Sequence, residues 1–204
     1  MKITDNVYML ESTKGAYAYL VTGEETVLID TCYPGRFKRI AAEMAELGVK
    51  PEEIKHILIT HNDIDHIGSL KPLQEWTGAK VWIPAGDLPA LMGEEKRHGF
   101  KEAISKAMRV KLPEKIDVVS PGQKIGGVEA IDAPGHTKGH MCFAYGDVLF
   151  AGDLVDTRKG TLDPLPKGWN RDSDMNDDTR RRVLNMPYTW ICPAHGRPVK
   201  REAP

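Results

Sequence analysis

Cysteine is scarce in this chain. Its 204 residues hold three, Cys32, Cys142 and Cys192, widely spaced and odd in number. That excludes a disulfide framework as the organising device and leads to the expectation of reduced thiols in a cytoplasmic protein. Each cysteine lies in or beside a strand-like run, which suits a small buried hydrophobe. Long apolar runs are also missing. No stretch is long enough to span a bilayer, and Met1–Asn6 has no apolar region of the signal-peptide kind. There is no run of basic residues. Net charge is −1 and the isoelectric point about 6.7, so electrostatics gives no case for a nucleic acid or a membrane as partner. No internal repeat stands out. The length suits one domain, residues 1–204, with room for a substantial core.

Metal-ligand side chains are present and concentrated. The run Thr60-His61-Asn62-Asp63-Ile64-Asp65-His66-Ile67-Gly68 sets His61, Asp63, Asp65 and His66 within six residues. The apolar residues before it read as a buried strand, and residues 69–76 after it as a helix. Residues two apart on an extended segment share one side. His61, Asp63 and Asp65 are therefore expected to converge, with His66 reaching a second centre. Imidazole together with carboxylate suits zinc, iron or manganese. Three more pieces follow: Ala133-Pro134-Gly135-His136-Thr137-Lys138-Gly139-His140, Phe150-Ala151-Gly152-Asp153 and Cys192-Pro193-Ala194-His195-Gly196. Each sets a His or Asp at the end of an apolar β-type run, beside Gly or Pro. One such cluster alone could be a helix cap. Four pieces in this order point to a site.

These pieces, with the early Leu28-Ile29-Asp30-Thr31, resemble the metallo-β-lactamase fold superfamily. The usual pattern there is His-x-His-x-Asp-His, then a separate His, an Asp and a last His. Six of the seven positions match, and Asp63 stands where the second His is usual. The resemblance implies an α/β fold, an αββα sandwich of two mixed β-sheets with helices on the outer faces and the site at one edge between the sheets. It implies that His61, Asp63 and His136 hold a first metal ion and Asp65, His66 and His195 a second, with Asp153 and a hydroxide bridging them. Asp65 would also act in catalysis by orienting the nucleophile. Asp30 would support the motif loop, and His140 would hydrogen-bond to the ligands without ligating. Cys32 stands where that element usually has Gly. His56 and His98 lie outside every motif and are expected at the surface or in packing.

Along the chain, strands are expected at 7–10, 16–22, 26–29, 54–60, 79–83, 116–119, 128–131, 141–145, 148–150 and 189–192. Phe37, Ile40, Ala41, Met44 and Leu47 recur at helical spacing with Gly48 as a stop. Further helices are expected at 69–76 and 177–184. Residues 86–112 and 156–174 lack core periodicity. They are expected either to line the substrate pocket, with Phe100 and Trp169 as apolar walls, or to cover the sandwich or form a homodimer contact.

The expected activity is metal-dependent hydrolysis of an ester, thioester or lactone of a small molecule. The expected cofactors are two divalent ions, zinc first. Two ions balanced by Asp65, Asp153 and one hydroxide keep a net positive charge. Asp63 cancels it, which favours harder ions such as iron or manganese. The alternatives are a small-substrate phosphodiesterase, a β-lactamase, and a di-iron redox module, since flavodiiron proteins carry a Glu at this place. Glyoxalase II-like members add a helical part for glutathione, and flavodiiron proteins a flavodoxin domain. This chain ends at Pro204, so neither is expected here.

Overall fold

Apolar side chains on both faces of a strand require cover on both sides. Residues 19–22 and 26–29 have this property, and the architecture follows from it. The structure, a computed structural model, describes residues 1–99, 101–108 and 110–201. Phe100 lies outside the described residues. One sheet runs in chain order through β1 (Val7–Met9), β2 (Tyr19–Thr22), β3 (Thr26–Ile29), β4 (Ile54–Leu58), β5 (Lys80–Pro84) and β6 (Asp117–Val119). It is antiparallel from β1 to β3 and parallel from β3 to β6. The other runs through β7 (Lys124–Ile125), β8 (Val128–Asp132), β9 (Met141–Tyr145), β10 (Val148–Thr157), β11 (Trp190–Gly196) and β12 (Val199–Lys200). Only its β10–β11 pair is parallel. The helices are α1 (Phe37–Glu46), the single turn α2 (Ile64–Ile67), α3 (Leu70–Thr77), α4 (Leu88–Leu91), α5 (Lys101–Met108) and α6 (Ser173–Leu184).

Three apolar layers hold these elements. Between the sheets, Met9, Tyr19, Val27, Ile29 and Leu58 meet Val128, Met141, Phe143 and Phe150. Behind the first sheet, Leu20, Leu28, Ile57 and Val81 pack on Ile40 and Met44 of α1 and Leu70 and Leu73 of α3. Behind the second, Cys142, Leu149 and Ile191 pack on Val183 of α6. Alternate residues of one strand thus enter different layers, and the result is an αββα sandwich of two mixed sheets. Each fully buried Leu, Ile or Phe contributes about 1.5–3 kcal/mol. The three cysteines are buried and free. No helix among the described residues is long and apolar enough to cross a membrane.

Several boundaries differ from the sequence reading. The strands expected at 148–150 and 189–192 extend to Thr157 and Gly196. They pair in parallel past Gly152 and Pro193, with register shifts between Phe150 and Asp156. The irregular stretch carries Asp153 and β11 carries His195, so both sit inside strands and not after them. Residues 16–18 precede β2, because Tyr17 N–H donates to Ala194 O of the opposite sheet. Helix α6 starts at Ser173, earlier than expected, since the Asp172 side chain accepts from Met175 N–H and caps it. The 86–112 segment contains α4 and α5. The 156–174 segment begins in the end of β10 and ends in the start of α6, with one short 3-10 turn at Lys167–Trp169 between them.

Candidate metal centre

The chain leaves β4 at Leu58, bends at Thr60 and reaches Asp63, which heads α2 with φ −69° and ψ 150°. His61 and Asp63 nevertheless place their ligand atoms in one set. Asp65 does not join them. It and His66 lie on α2, and the helical turn directs both to a different group. Two sets of potential ligand atoms result: His61, Asp63, His136 and Asp153, and Asp65, His66 and His195. Within each set the atoms lie within 4.8 Å of one another. Asp153 faces both. Its Oδ2 is 3.2 Å from His136 Nε2 and 3.8 Å from His61 Nε2. Its Oδ1 is 3.2 Å from His66 Nε2 and 3.3 Å from His195 Nε2. Asp63 Oδ2 lies 3.4 Å from His61 Nε2 and 3.1 Å from His136 Nε2, and Asp65 Oδ2 lies 3.5 Å from His195 Nε2.

Hydrogen bonds behind the histidines fix where their lone pairs point. Buried Asp30 accepts from Thr60 N–H, from the Thr60 hydroxyl and from His66 Nδ1, each at 2.8 Å. The Thr60 hydrogen is thereby spent, so His61 Nδ1–H donates to Thr60 Oγ1 at 3.0 Å. His136 Nδ1–H donates to Asn170 Oδ1 at 3.0 Å and His195 Nδ1–H to Gly15 O at 2.7 Å. In all four rings Nδ1 is held from behind and Nε2 turns toward the carboxylates, the orientation a metal ligand needs. His140 follows the same rule with another outcome. Its Nδ1–H donates to Ala133 O, and its Nε2 accepts from Asp153 N–H at 3.1 Å. It places Asp153 and contacts the cluster from behind.

The cluster fits a metal better than it fits hydrogen bonding alone. Buried His61 Nε2, His66 Nε2 and Asp153 Oδ1 have no hydrogen-bond partner, and such orphans are rare unless a site needs them. Tetrahedral geometry with bonds of about 2.0–2.2 Å puts ligand atoms roughly 3.3–3.6 Å apart, close to the spacings above. Charge points the same way. Burial opposes ionisation of Asp153 and Asp63, yet the imidazoles around each hold it well below the usual carboxylate range. Burial also opposes a charged His66, but Asp30, Asp153 and Asp65 raise it well above its ordinary value. Asp153 raises His195 to about 9 against burial. Burial raises Asp65. The pocket of carboxylates draws positive charge into itself.

Three features were not visible in the sequence reading. Lys101, at the start of α5 and 6% exposed, reaches into the first set. Its Nζ is 2.5 Å from Asp63 Oδ2 and 2.9 Å from His136 Nε2. The charge balance drawn from Asp63 alone is therefore incomplete, because an ammonium accompanies that carboxylate. Asn170 orients His136. Asp87 accepts from Asn62 N–H, the Thr137 hydroxyl and Gly139 N–H, which ties the two ligand loops together. No motif marks Lys101 or Asn170, and only a Gly-Asp pair after a strand marks Asp87. Conversely, Cys32 gains an explanation. Its φ is 59° and that of Asp30 is 60°, a left-handed conformation in which glycine costs least. Of the remaining histidines, His56 bridges Glu25 and the Trp82 indole, and His98 is exposed.

A cleft of about 510 Å³ opens over Asp63, Asp65, Asp153 and His195, walled by Tyr33, Leu165, Pro166 and Trp169, with Arg158 at its edge. Trp169, one of the two apolar walls expected from the sequence, lines this cleft and is 45% exposed. Arg158 forms an ion pair with Asp156. The volume suits a small molecule.

The comparisons with known proteins agree with this geometry. A family model described as the Metallo-beta-lactamase superfamily matches residues 13–195. The chain is 39% identical over 152 residues to the uncharacterized protein YobT of Bacillus subtilis, covering 71% of this chain and 58% of that protein. It is 29% identical over 162 residues to a hydroxyacylglutathione hydrolase of Hyphomonas neptunium, covering 76% of this chain and 54% of that enzyme. The chain thus matches less than two thirds of the length of either relative. Among solved structures, TTHA1623 in a di-iron-bound form superposes with a TM-score of 0.71 at 28% identity, over 91% of this chain and 89% of that one.

Proposed function

Because the chain belongs to the metallo-beta-lactamase superfamily, we propose that it is a binuclear metallo-hydrolase acting on an ester, thioester or lactone of a small substrate. His61, Asp63 and His136 would hold one ion and Asp65, His66 and His195 a second, with Asp153 shared. The observation that carries this reading is the pair of ligand sets around Asp153, with their Nε2 lone pairs turned inward and a cleft opening above. Bound there, two ions supply Lewis acidity toward a substrate carbonyl and acidify water at neutral pH. The chain's own residues do the rest. Asp30, Thr60, Asn170 and Gly15 hold the imidazoles in one tautomer. Asp65, raised by burial and facing the cleft, orients the attacking water. Tyr33, Leu165, Pro166 and Trp169 exclude solvent around an apolar substrate body. The thioester in this list is also supported by the hydroxyacylglutathione hydrolase among the relatives.

A second reading, a di-iron redox module, is favoured by one feature, the Asp63 carboxylate in the first set. The di-iron form of a 28% identical neighbour supports it. One experiment separates the two. Protein expressed without added metal is analysed for zinc, iron and manganese, then assayed against aryl esters, thioesters, lactones, a β-lactam and a small phosphodiester. Zinc with ester or thioester turnover is expected. The His136→Ala and His195→Ala variants should each lose metal and at least about a hundredfold in turnover. If both variants keep full stoichiometry and turnover, the ligand assignment is wrong. Two irons without hydrolysis of any of these substrates would favour the redox reading.

A further inference from the structure

We propose that Lys101 is a built-in occupant of the first half-site, which a metal ion must displace, so that the position of α5 is coupled to metal occupancy. The inference rests on the ligand assignment above. The decisive atom is His136 Nε2. Its ring has one lone pair, because Nδ1–H is committed to Asn170. Lys101 Nζ–H donates into that lone pair at 2.9 Å while sitting 2.5 Å from Asp63 Oδ2. An ion bound by His136 and Asp63 needs the same lone pair, and imidazole has no second one to offer. Lys101 therefore cannot keep its bond to His136 once an ion takes that lone pair.

Position 63 gives the arrangement its reason. A histidine there would be neutral, whereas the aspartate adds a charge in a buried pocket. A buried carboxylate requires a partner, and a lysine is almost never fully buried unless paired. Asp63 and Lys101 together restore the neutrality of the usual histidine, but only while the ammonium stays. The other half-site has no such guest. Among the described residues, no lysine or arginine nitrogen forms an ion pair with Asp65, His66 or His195. The two half-sites should therefore fill in sequence. Asp65, His66 and His195 bind first, with Asp153. His61, Asp63 and His136 bind second, once Lys101 swings out. Lys101 is the first residue of α5 and bonds directly to Asp63 and His136. Its release should loosen α5.

The test is zinc titration of the full chain at fixed pH by chelator competition, with hydrogen exchange of residues 101–108 followed in parallel. In the native chain, two separated affinities are expected, and exchange in α5 should rise only past the first equivalent. In Lys101→Met the weaker affinity should tighten on the order of tenfold, because the competent state no longer competes with the ammonium. The stronger affinity should stay within about twofold, and α5 should exchange fast at every zinc level. Should Lys101→Met fail to fold, exchange in the native chain still decides. Equal affinities unchanged by Lys101→Met, or slower α5 exchange as zinc binds, would overturn the inference while leaving the ligands intact. No zinc binding at all would instead defeat the ligand assignment itself.

Discussion

Asp30 organises the candidate centre from behind two of its proposed ligands. Its carboxylate receives three hydrogen bonds, and through Thr60 it sets the tautomer of His61 as well as His66. Replacing it by asparagine keeps the shape but turns one acceptor into a donor. Either His66 Nδ1 or Thr60 then loses its partner, and one Nε2 lone pair is no longer guaranteed. Asp30→Asn should lower metal affinity about 10–100-fold and stability by roughly 1–3 kcal/mol. Chelator competition and urea unfolding measure the two. Unchanged affinity would mean that tautomer control lies elsewhere. At this scale the sequence was informative wherever chemistry clusters locally. The motif residues His61, Asp63, Asp65, His66, His136, Asp153 and His195 come together in two adjoining sets, although Asp65 joins His66 and His195 and not His61 and Asp63. Lys101 and Asn170 were illegible, because a lone Lys or Asn in a segment without periodicity has the same local signature whether it reaches the centre or the solvent.

Among the elements, the loop before His136 shows how packing fixes a proposed ligand. Gly135 has φ 129°, and a Cβ there would run into the Asn176 backbone at the start of α6. Arg171 N–H donates to His136 O and Asp172 N–H to Gly135 O, so the loop and the helix cap are one unit. Gly135→Ala should cost about 2–4 kcal/mol from backbone strain and overpacking together, with weakened metal binding at His136. Gly146→Ala serves as the control. Its φ is 58°, but nothing lies near its Cβ, so only about 1 kcal/mol is expected. Thermal or urea unfolding of both compares them, and equal losses would refute the packing argument. The element pattern was legible in outline, since alternation and helical spacing are local. The extents of β10 and β11 were not. Gly152 and Pro193 interrupt the apolar pattern, and only the parallel pairing of the two strands carries them on to Asp153 and His195.

For the whole molecule, the two sheets meet along a seam of specific contacts. The Tyr19 hydroxyl donates to Pro193 O at 2.6 Å, Tyr17 N–H to Ala194 O at 2.8 Å and Met141 N–H to Thr60 O at 2.9 Å. The two candidate ligand sets straddle this seam. His61, Asp63, Asp65 and His66 follow a strand of the first sheet, while His136, Asp153 and His195 belong to the second. Ions bound across them would act as cross-links between sheets. Any ligand that binds only the folded chain stabilises it, by about 2.7 kcal/mol at a hundred times its Kd. For a chain of this size that corresponds to a rise in Tm of roughly 5–10 °C. Zinc should produce that rise, EDTA should reverse it, and hydrogen exchange should slow in both β4 and β11. Slowing confined to one sheet would show that the ions do not bridge the halves. The second set would then have to be rebuilt without His195, the ligand that β11 brings across the seam to meet Asp65 and His66.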